Sequence, residues 1–114
     1  LKRKRVNNPV KKVKMQHCQA LLRTQRRLLN VGINALEDCL EKEHLDKELL
    51  FSLCDFVSNT KKTIEFFEGL IKDVEGEAVE VSYAQAIVAK TYMLACKSLK
   101  QHFTYTHNIS LSLH

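Results

Sequence analysis

Residues 46–76, DKELLFSLCDFVSNTKKTIEFFEGLIKDVEG, decide the fold class of this chain. Their apolar positions alternate steps of three and four residues, which is the spacing of one face of a helix. Asp46 is a suitable N-cap and Gly76 a suitable C-terminal stop. The stretch therefore predicts a long amphipathic helix that must bury an apolar stripe. That stripe consists of Leu50, Leu53, Val57, Thr60, Ile64, Phe67, Ile71 and Val74, broadened by Leu49, Phe56 and Leu70.

A second helical pattern precedes this one. Asn8 can cap a helix and Pro9 suits its first position, so we expect a first helix from Pro9 to about Glu43. Gln25 and Gly32 interrupt its apolar stripe. We expect Gly32 to mark a close approach of a neighbouring helix, and Gln25 to satisfy a buried polar contact.

A third helical pattern begins at Ser82, where Ser82-x-x-Gln85 has the form of a capping box. Short connections, near 44–45 and 76–81, force long helices to be antiparallel neighbours. The sequence therefore predicts an all-α, antiparallel up-down-up three-helix bundle with long helices. It would comprise a basic arm (1–8), a helical bundle domain (9–107) and a tail (108–114). The expected core face of the third helix is Val88, Tyr92, Ala95, Cys96, Leu99 and Phe103.

Composition limits the class of protein. With 114 residues, one proline and three glycines, there is room for one domain built of long elements. No apolar run approaches the roughly 18 residues of a membrane span, so no membrane partner is expected. The chain begins with Leu and lacks a signal-peptide pattern, and we expect it to be a piece of a longer protein.

The four cysteines, Cys18, Cys39, Cys54 and Cys96, form no C-x-x-C pair, and each falls within a helical pattern. We therefore expect reduced, buried thiols rather than disulfides or a zinc site. The triplet Asn108-Ile109-Ser110 is a glycosylation sequon. It leaves a secreted, cytokine-like helical bundle as an alternative.

No motif for catalysis is present. The chain has no phosphate-binding loop, no G-x-G-x-x-G and no H-E-x-x-H. His102 and His107 are five residues apart, which turns them away from each other on a helix, where a metal-binding pair wants a spacing of four. Two pairs of carboxylates, Glu37 with Glu41 and Glu65 with Glu68, each lie on one helix face, and a solvated polar face explains them without catalysis. We therefore predict no enzyme, no catalytic residue, no metal and no cofactor.

The charge is strongly asymmetric, because ten basic residues precede the first acidic one, Glu37. Three explanations are open: neutralisation by the acidic end of the second helix, a nuclear-import signal in KRKR and KKVK, and a basic arm for nucleic acid. The expected basic surface comprises Lys2, Arg3, Lys4, Arg5, Lys11, Lys12, Lys14, Arg23, Arg26 and Arg27.

The last helix is apolar on a second flank, formed by Tyr83, Ile87, Leu94 and Tyr105. Such a flank could receive a partner helix, a peptide or a second copy of the chain as a homodimer. The predicted function is a non-enzymatic protein-interaction module, for scaffolding or oligomerisation, of a larger nuclear protein acting in transcription or chromatin. The main alternative is a nucleic-acid-binding domain that uses the basic arm and the first helix.

Overall fold

Three long helices and a small two-stranded sheet make up residues 10–107, the part of the chain that the computed structural model describes. In chain order they are β1 (Val10–Lys14), α1 (Met15–Leu40), α2 (Lys47–Ile71), β2 (Ala78–Ser82) and α3 (Tyr83–His107). The prediction of an all-α three-helix bundle is confirmed, with the sheet as an addition that the sequence analysis did not anticipate.

α2 is the central helix and runs antiparallel to α1. Near one end of this pair, Arg26 contacts Glu68, and near the other the Cys39 thiol lies 3.9 Å from the Asp46 carbonyl oxygen. Residues late in α1 therefore lie beside residues early in α2, as in an antiparallel pair. α1 and α3 make few contacts with each other, since each packs on α2.

The contacts of α2 with α3 also run in opposite directions. Phe56 and Phe103 pack edge to face with ring centres 6.0 Å apart, and Phe66 packs against Tyr92 with ring centres 6.4 Å apart. Both Phe56 and Phe103 are fully buried, and such a pair adds about 0.5–1.5 kcal/mol beyond its area burial. Phe103 therefore anchors the C-terminal half of α3 to the core.

Gly32 marks the close approach of α1 and α2, as expected. A β-carbon at this position would lie 2.9 Å from the Phe56 ring and 3.2 Å from a methyl group of Val57. The Phe56 ring is fully buried and has no room to retreat. Glycine therefore costs helix propensity here but permits the closest packing of the two helices.

Both predicted helix starts within residues 46–85 are confirmed. The Asp46 carboxylate accepts a hydrogen bond of 3.1 Å from the Leu49 backbone N–H. Ser82 and Gln85 form a reciprocal capping box, with bonds of 3.1 and 2.9 Å. α2 nevertheless ends at Ile71, five residues before Gly76, and α1 ends at Leu40, before Glu43.

The predicted start of the first helix at Pro9 is wrong, because residues 10–14 form β1. β1 pairs antiparallel with β2, with Lys11 opposite Val81 and Val13 opposite Val79. The Met15 N–H, the first of α1, donates a 2.7 Å hydrogen bond to the Glu77 carbonyl oxygen. Residues 10–14 therefore form their backbone hydrogen bonds within the sheet, although Asn8 and Pro9 are a local signal for a helix start.

The inner face of this sheet closes the bundle at one end. Val79 and Val81 alternate inward along β2 and form a small buried cluster with Cys18. Val13 and Met15 pack against this cluster. A pattern of period two is what a half-buried strand requires, and it gives the connection between α2 and α3 a fixed path.

Two expectations about burial are also wrong. Val88 was assigned to the core face of α3 but is 38 % exposed, whereas Cys96 and Phe103 on that face are buried. Cys54 was expected inside and is exposed on α2; the other three cysteines are buried, and all four are free. Both residues lie at the edge of an apolar stripe, where the helical period alone does not settle exposure.

Candidate functional site

An open groove runs between α1 and α3. Both helices pack on α2 and make few contacts with each other, and between them is a space of about 870 Å³. Its lining residues are Lys11, Val13, His17, Cys18, Leu21, Gln25, Leu28, Phe67, Leu70, Val81, Ala86, Ala89, Lys90, Met93, Leu94, Cys96, Lys97 and Lys100. We refer to this space as the groove.

The floor and walls of the groove are mainly apolar. Phe67 and Leu70 of α2 form part of the floor, and Leu21 and Leu28 of α1 line one wall. On the α3 wall, Ala86 and Ala89 have short side chains that let an incoming chain approach the helix backbone closely. Met93 lies on the same wall, and its flexible thioether can adapt to ligands of different shape.

Gln25 is the polar exception in this apolar lining. Its side chain is only 5 % exposed, yet its Oε1 atom has no hydrogen-bond partner within the described residues. The expectation that Gln25 satisfies a buried polar contact is therefore wrong. An unpaired buried amide oxygen costs about 1–3 kcal/mol. This oxygen is covered by protein, so a ligand in the groove would reach it only after the Gln25 amide turns toward the groove.

The charged residues of the groove have one sign. Lys90, Lys97 and Lys100 of α3 and Lys11 of β1 contribute to the lining, and no carboxylate does among the described residues. The electrostatic potential in the groove therefore favours anionic groups.

The predicted apolar flank of the last helix coincides with the groove only in part. Leu94 lines the groove and is 52 % exposed, a large value for leucine. Tyr83 and Ile87 are exposed but lie outside the lining. Tyr105 belongs to α3, and its side chain lies outside the described part of the structure. Among the described side chains of the predicted flank, Leu94 alone borders the groove.

The predicted basic surface is divided among several elements. Lys2, Arg3, Lys4 and Arg5 lie outside the described residues. Lys11, Lys12 and Lys14 lie on β1 and not on the first helix, whose predicted start at Pro9 is wrong. Lys12 instead stands opposite Glu80 in the sheet, a favourable cross-strand pairing of charges.

Arg23, Arg26 and Arg27 are exposed on α1 as predicted. Arg26 forms a 2.8 Å ion pair with Glu68 of α2, so part of the basic helix is neutralised by the acidic end of its neighbour. Both side chains are about half exposed, and such a pair stabilises the fold by at most about 1 kcal/mol. Arg23 and Arg27 remain on the outer surface, away from the groove lining.

The thiols of the groove are suited to packing rather than to chemistry. Burial raises the pKa of Cys18. Burial also raises the pKa of Cys96, against smaller opposing effects of the Thr60 hydroxyl and of Lys100. Both thiols are therefore neutral at physiological pH, and a neutral thiol is a poor nucleophile and a poor metal ligand. Residues 10–107 contain no cluster of three potential metal-ligating side chains.

Two features of the sequence lie at the groove without predicting it. Gln25 interrupts the α1 stripe, and α3 is apolar on two flanks. Periodicity identifies apolar faces without saying which of them lack a neighbour.

The groove offers a docking surface of apolar contacts. Four lysines border it, and we call them the lysine margin: Lys11, Lys90, Lys97 and Lys100. No described helix combines the length and apolar character needed to cross a membrane. No protein-family model, no curated protein and no solved structure matches this chain.

Proposed function

We propose that this chain is a non-enzymatic protein-interaction module whose groove receives an apolar segment of a partner protein. The observation that carries the proposal is the open space between α1 and α3 with its apolar floor. Apolar surface that a fold leaves uncovered in a concave site is typical of a binding site. Docking of a partner would remove this surface from water, at about 25 cal/mol for each Å² of apolar area.

The extent of the groove favours a macromolecular segment over a small molecule. On α3 the lining extends from Ala86 to Lys100, which corresponds to roughly 20 Å of helix. The groove is also open along its upper side, whereas small-molecule sites enclose most of the ligand surface. A partner segment can use the whole length while its outer face stays in water.

A direct test uses peptides selected from a random display library against the folded chain. Ala86→Trp places an indole in the groove from an exposed position, and Ala84→Trp places the same side chain on α3 outside the groove lining. We expect the selected peptides to lose at least tenfold in affinity for Ala86→Trp and to bind Ala84→Trp normally. Failure to select any peptide, or equal loss in both variants, would contradict the proposal.

We propose further that the module belongs to a larger nuclear protein that acts in transcription or chromatin. The support is the pair of basic clusters, KRKR at residues 2–5 and KKVK at residues 11–14. In a fusion to a fluorescent protein, replacement of residues 2–5 by alanine is expected to abolish nuclear accumulation. Replacement of Lys61 and Lys62 is the matched control. Unchanged nuclear accumulation after loss of KRKR would overturn the nuclear assignment.

Nucleic-acid binding is the second candidate, and the single sign of charge around the groove favours it. Exposed Arg23 and Arg27 on α1 add to the lysines of β1 and α3. DNA and RNA titrations at two salt concentrations test it, because contacts with phosphates weaken steeply with salt. Micromolar or tighter affinity that persists at physiological salt would favour this function over protein docking. Weak affinity that vanishes there would exclude it as the main function.

A further inference from the structure

We infer, on the basis of the interaction function proposed above, that the groove binds an acidic amphipathic α-helix of a partner protein. The inference combines three features of the groove: walls made mainly of helices, with Lys11, Val13 and Val81 of the sheet beside them; lining lysines without carboxylates; and the unpaired Oε1 atom of buried Gln25.

The walls select a helix over an extended segment. A chain that enters an apolar site must satisfy its own backbone N–H and C=O groups. The main walls of the groove are α1 and α3, whose interior backbone groups are already bonded within the helices. A helix brings its backbone hydrogen bonds with it, whereas an extended peptide would leave many of these groups unpaired.

The dimensions of the walls set the length of the bound helix. From Cys18 to Leu28 the α1 wall spans roughly 15 Å, and from Ala86 to Lys100 the α3 wall spans roughly 21 Å. A helix of about 10 to 14 residues covers this distance, which corresponds to three or four turns. It would occupy the open position beside α1 and α3 and complete a four-helix arrangement over α2.

The charge of the margin selects an acidic helix. Lys90 and Lys97 are seven residues apart on α3 and therefore lie along one line, and Lys11 on β1 adds a further cation. With no carboxylate among the described lining residues, glutamates on the flank of a bound helix would meet uncompensated positive charge. A basic helix would meet repulsion along the same line.

The two segments of the sequence that flank the described fold do not have this chemistry. The arm at residues 1–8 is basic, and the tail NISLSLH at residues 108–114 contains no acidic residue. Neither segment supplies negative charge to match the lysines of the groove, so neither is the acidic helix that we infer as the occupant.

Gln25 adds a polar requirement in the middle of the apolar contact. It lies between Leu21 and Leu28 along the α1 wall. The Oε1 atom is covered by protein in the unliganded fold. If the amide turns toward the groove on binding, a serine or asparagine of the bound helix opposite Gln25 can donate a hydrogen bond to it. A leucine at the same place would leave that oxygen unpaired and dry.

The test uses three synthetic 14-residue helices, stabilised by a hydrocarbon staple on the outer face. All three have the same leucines on the inner face and a central serine, and they carry glutamate, glutamine or lysine on both flanks. Binding to the whole chain is measured by fluorescence anisotropy at low and at physiological salt. We expect the glutamate helix to bind at least tenfold more tightly than the lysine helix, with the glutamine helix between them.

Charge reversal on the protein locates the preference. Lys90→Glu with Lys97→Glu is expected to remove or invert the order of the three helices. Lys61→Glu with Lys62→Glu, on exposed positions of α2 outside the groove, makes the same change of charge and is expected to leave the order unchanged. If both double variants alter the order equally, the preference reflects net charge and the inference is overturned.

The possible failures are distinguishable. Equal affinity for all three helices, lost in Ala86→Trp but kept in Ala84→Trp, would leave the interaction function standing and overturn the acidic helix. If none of the three stapled helices binds while display-selected peptides still bind in the groove, the inference that the occupant is a helix is overturned. Dimerisation of the unliganded chain in sedimentation that is abolished by Ala86→Trp would identify a second copy as the occupant instead.

A cycle of substitutions tests the role of Gln25. In the glutamate helix the central serine is replaced by leucine, and in the protein Gln25 is replaced by leucine. We expect the leucine helix to gain at least tenfold relative to the serine helix when Gln25→Leu is present. No change in this ratio would show that Gln25 does not contact the bound helix.

Discussion

At the scale of single residues, Gly32 and Gln25 interrupt the same apolar stripe of α1 for different reasons. Gly32 is small because α2 comes close: its α-carbon faces the Phe56 ring. Gln25 is polar at a place where the described structure offers its Oε1 atom no partner. The sequence predicted the first role correctly and the second wrongly, because hydrogen-bond partners of a buried amide come from distant parts of a chain.

Gly32→Ala is expected to destabilise the fold, although alanine is the better helix former. The gain in helix propensity is about 1 kcal/mol, and the overlap with the Phe56 ring costs about 1–3 kcal/mol. We expect a net loss of about 1 kcal/mol in the free energy of unfolding, measured by urea denaturation.

Gly69→Ala is the matched control, because an added β-carbon at this exposed glycine of α2 meets no atom within 4 Å. It should stabilise the fold by about 1 kcal/mol. If Gly32→Ala stabilised the chain as much as Gly69→Ala does, the close approach of α1 and α2 would be refuted.

Gln25→Leu is expected to stabilise the fold. It removes an unpaired buried oxygen, which costs about 1–3 kcal/mol, and it extends the apolar wall from Leu21 to Leu28. We expect a gain of about 1–2 kcal/mol in thermal or urea unfolding. Gln19→Leu, at an exposed position of the same helix, should change stability by no more than about 0.5 kcal/mol. A loss of stability in Gln25→Leu would show that the amide makes a contact that the fold needs.

At the scale of elements, the helices were predictable from local signals and the sheet was not. Asp46 and the Ser82–Gln85 pair act within one turn of the residues they cap, so the sequence is sufficient to identify them. The paired residues of β1 and β2 are more than sixty positions apart in the sequence; Lys14, for example, lies opposite Ala78. No hairpin turn connects the two strands, so the sequence contains no local signal for their pairing.

Val79→Ala tests whether the sheet contributes to the stability of the whole domain. Val79 is 1 % exposed and packs with Cys18 and Val81, so loss of two methyl groups should cost about 2 kcal/mol. Glu80→Ala, at the next and exposed position of β2, should change the free energy of unfolding by about 0.5 kcal/mol or less. Equal effects of the two substitutions would mean that the sheet does not pack on the helices as described.

α3 shows the limit of a periodicity argument at this scale. Its apolar residues on two flanks predicted a helix buried on more than one side, yet Tyr83, Ile87 and Leu94 are about half exposed or more. The same pattern is produced by a helix whose two apolar flanks are both buried in the fold and by a helix with one apolar flank exposed to solvent. Only the three-dimensional placement of α1 and α2 around α3 shows which of its flanks is exposed.

At the scale of the whole molecule, the groove arises from how three helices are arranged rather than from any one of them. α2 is flanked by both neighbours, and β1 and β2 close one end, so the open side between α1 and α3 is the place where a fourth helix would fit. The fold class follows from sequence periodicity. The groove does not follow from periodicity, because it depends on which apolar helix faces are left without another helix packed against them.

The most direct measurement uses the two methionines of the chain as internal reporters. Met93 lines the groove, whereas Met15 packs in the cluster beneath the sheet. With [¹³C-methyl]-methionine, titration with the acidic 14-residue helix at physiological salt is predicted to shift the Met93 methyl signal strongly and leave that of Met15 nearly unchanged. A Met93 signal that does not move while the helix binds would contradict the groove as the docking site.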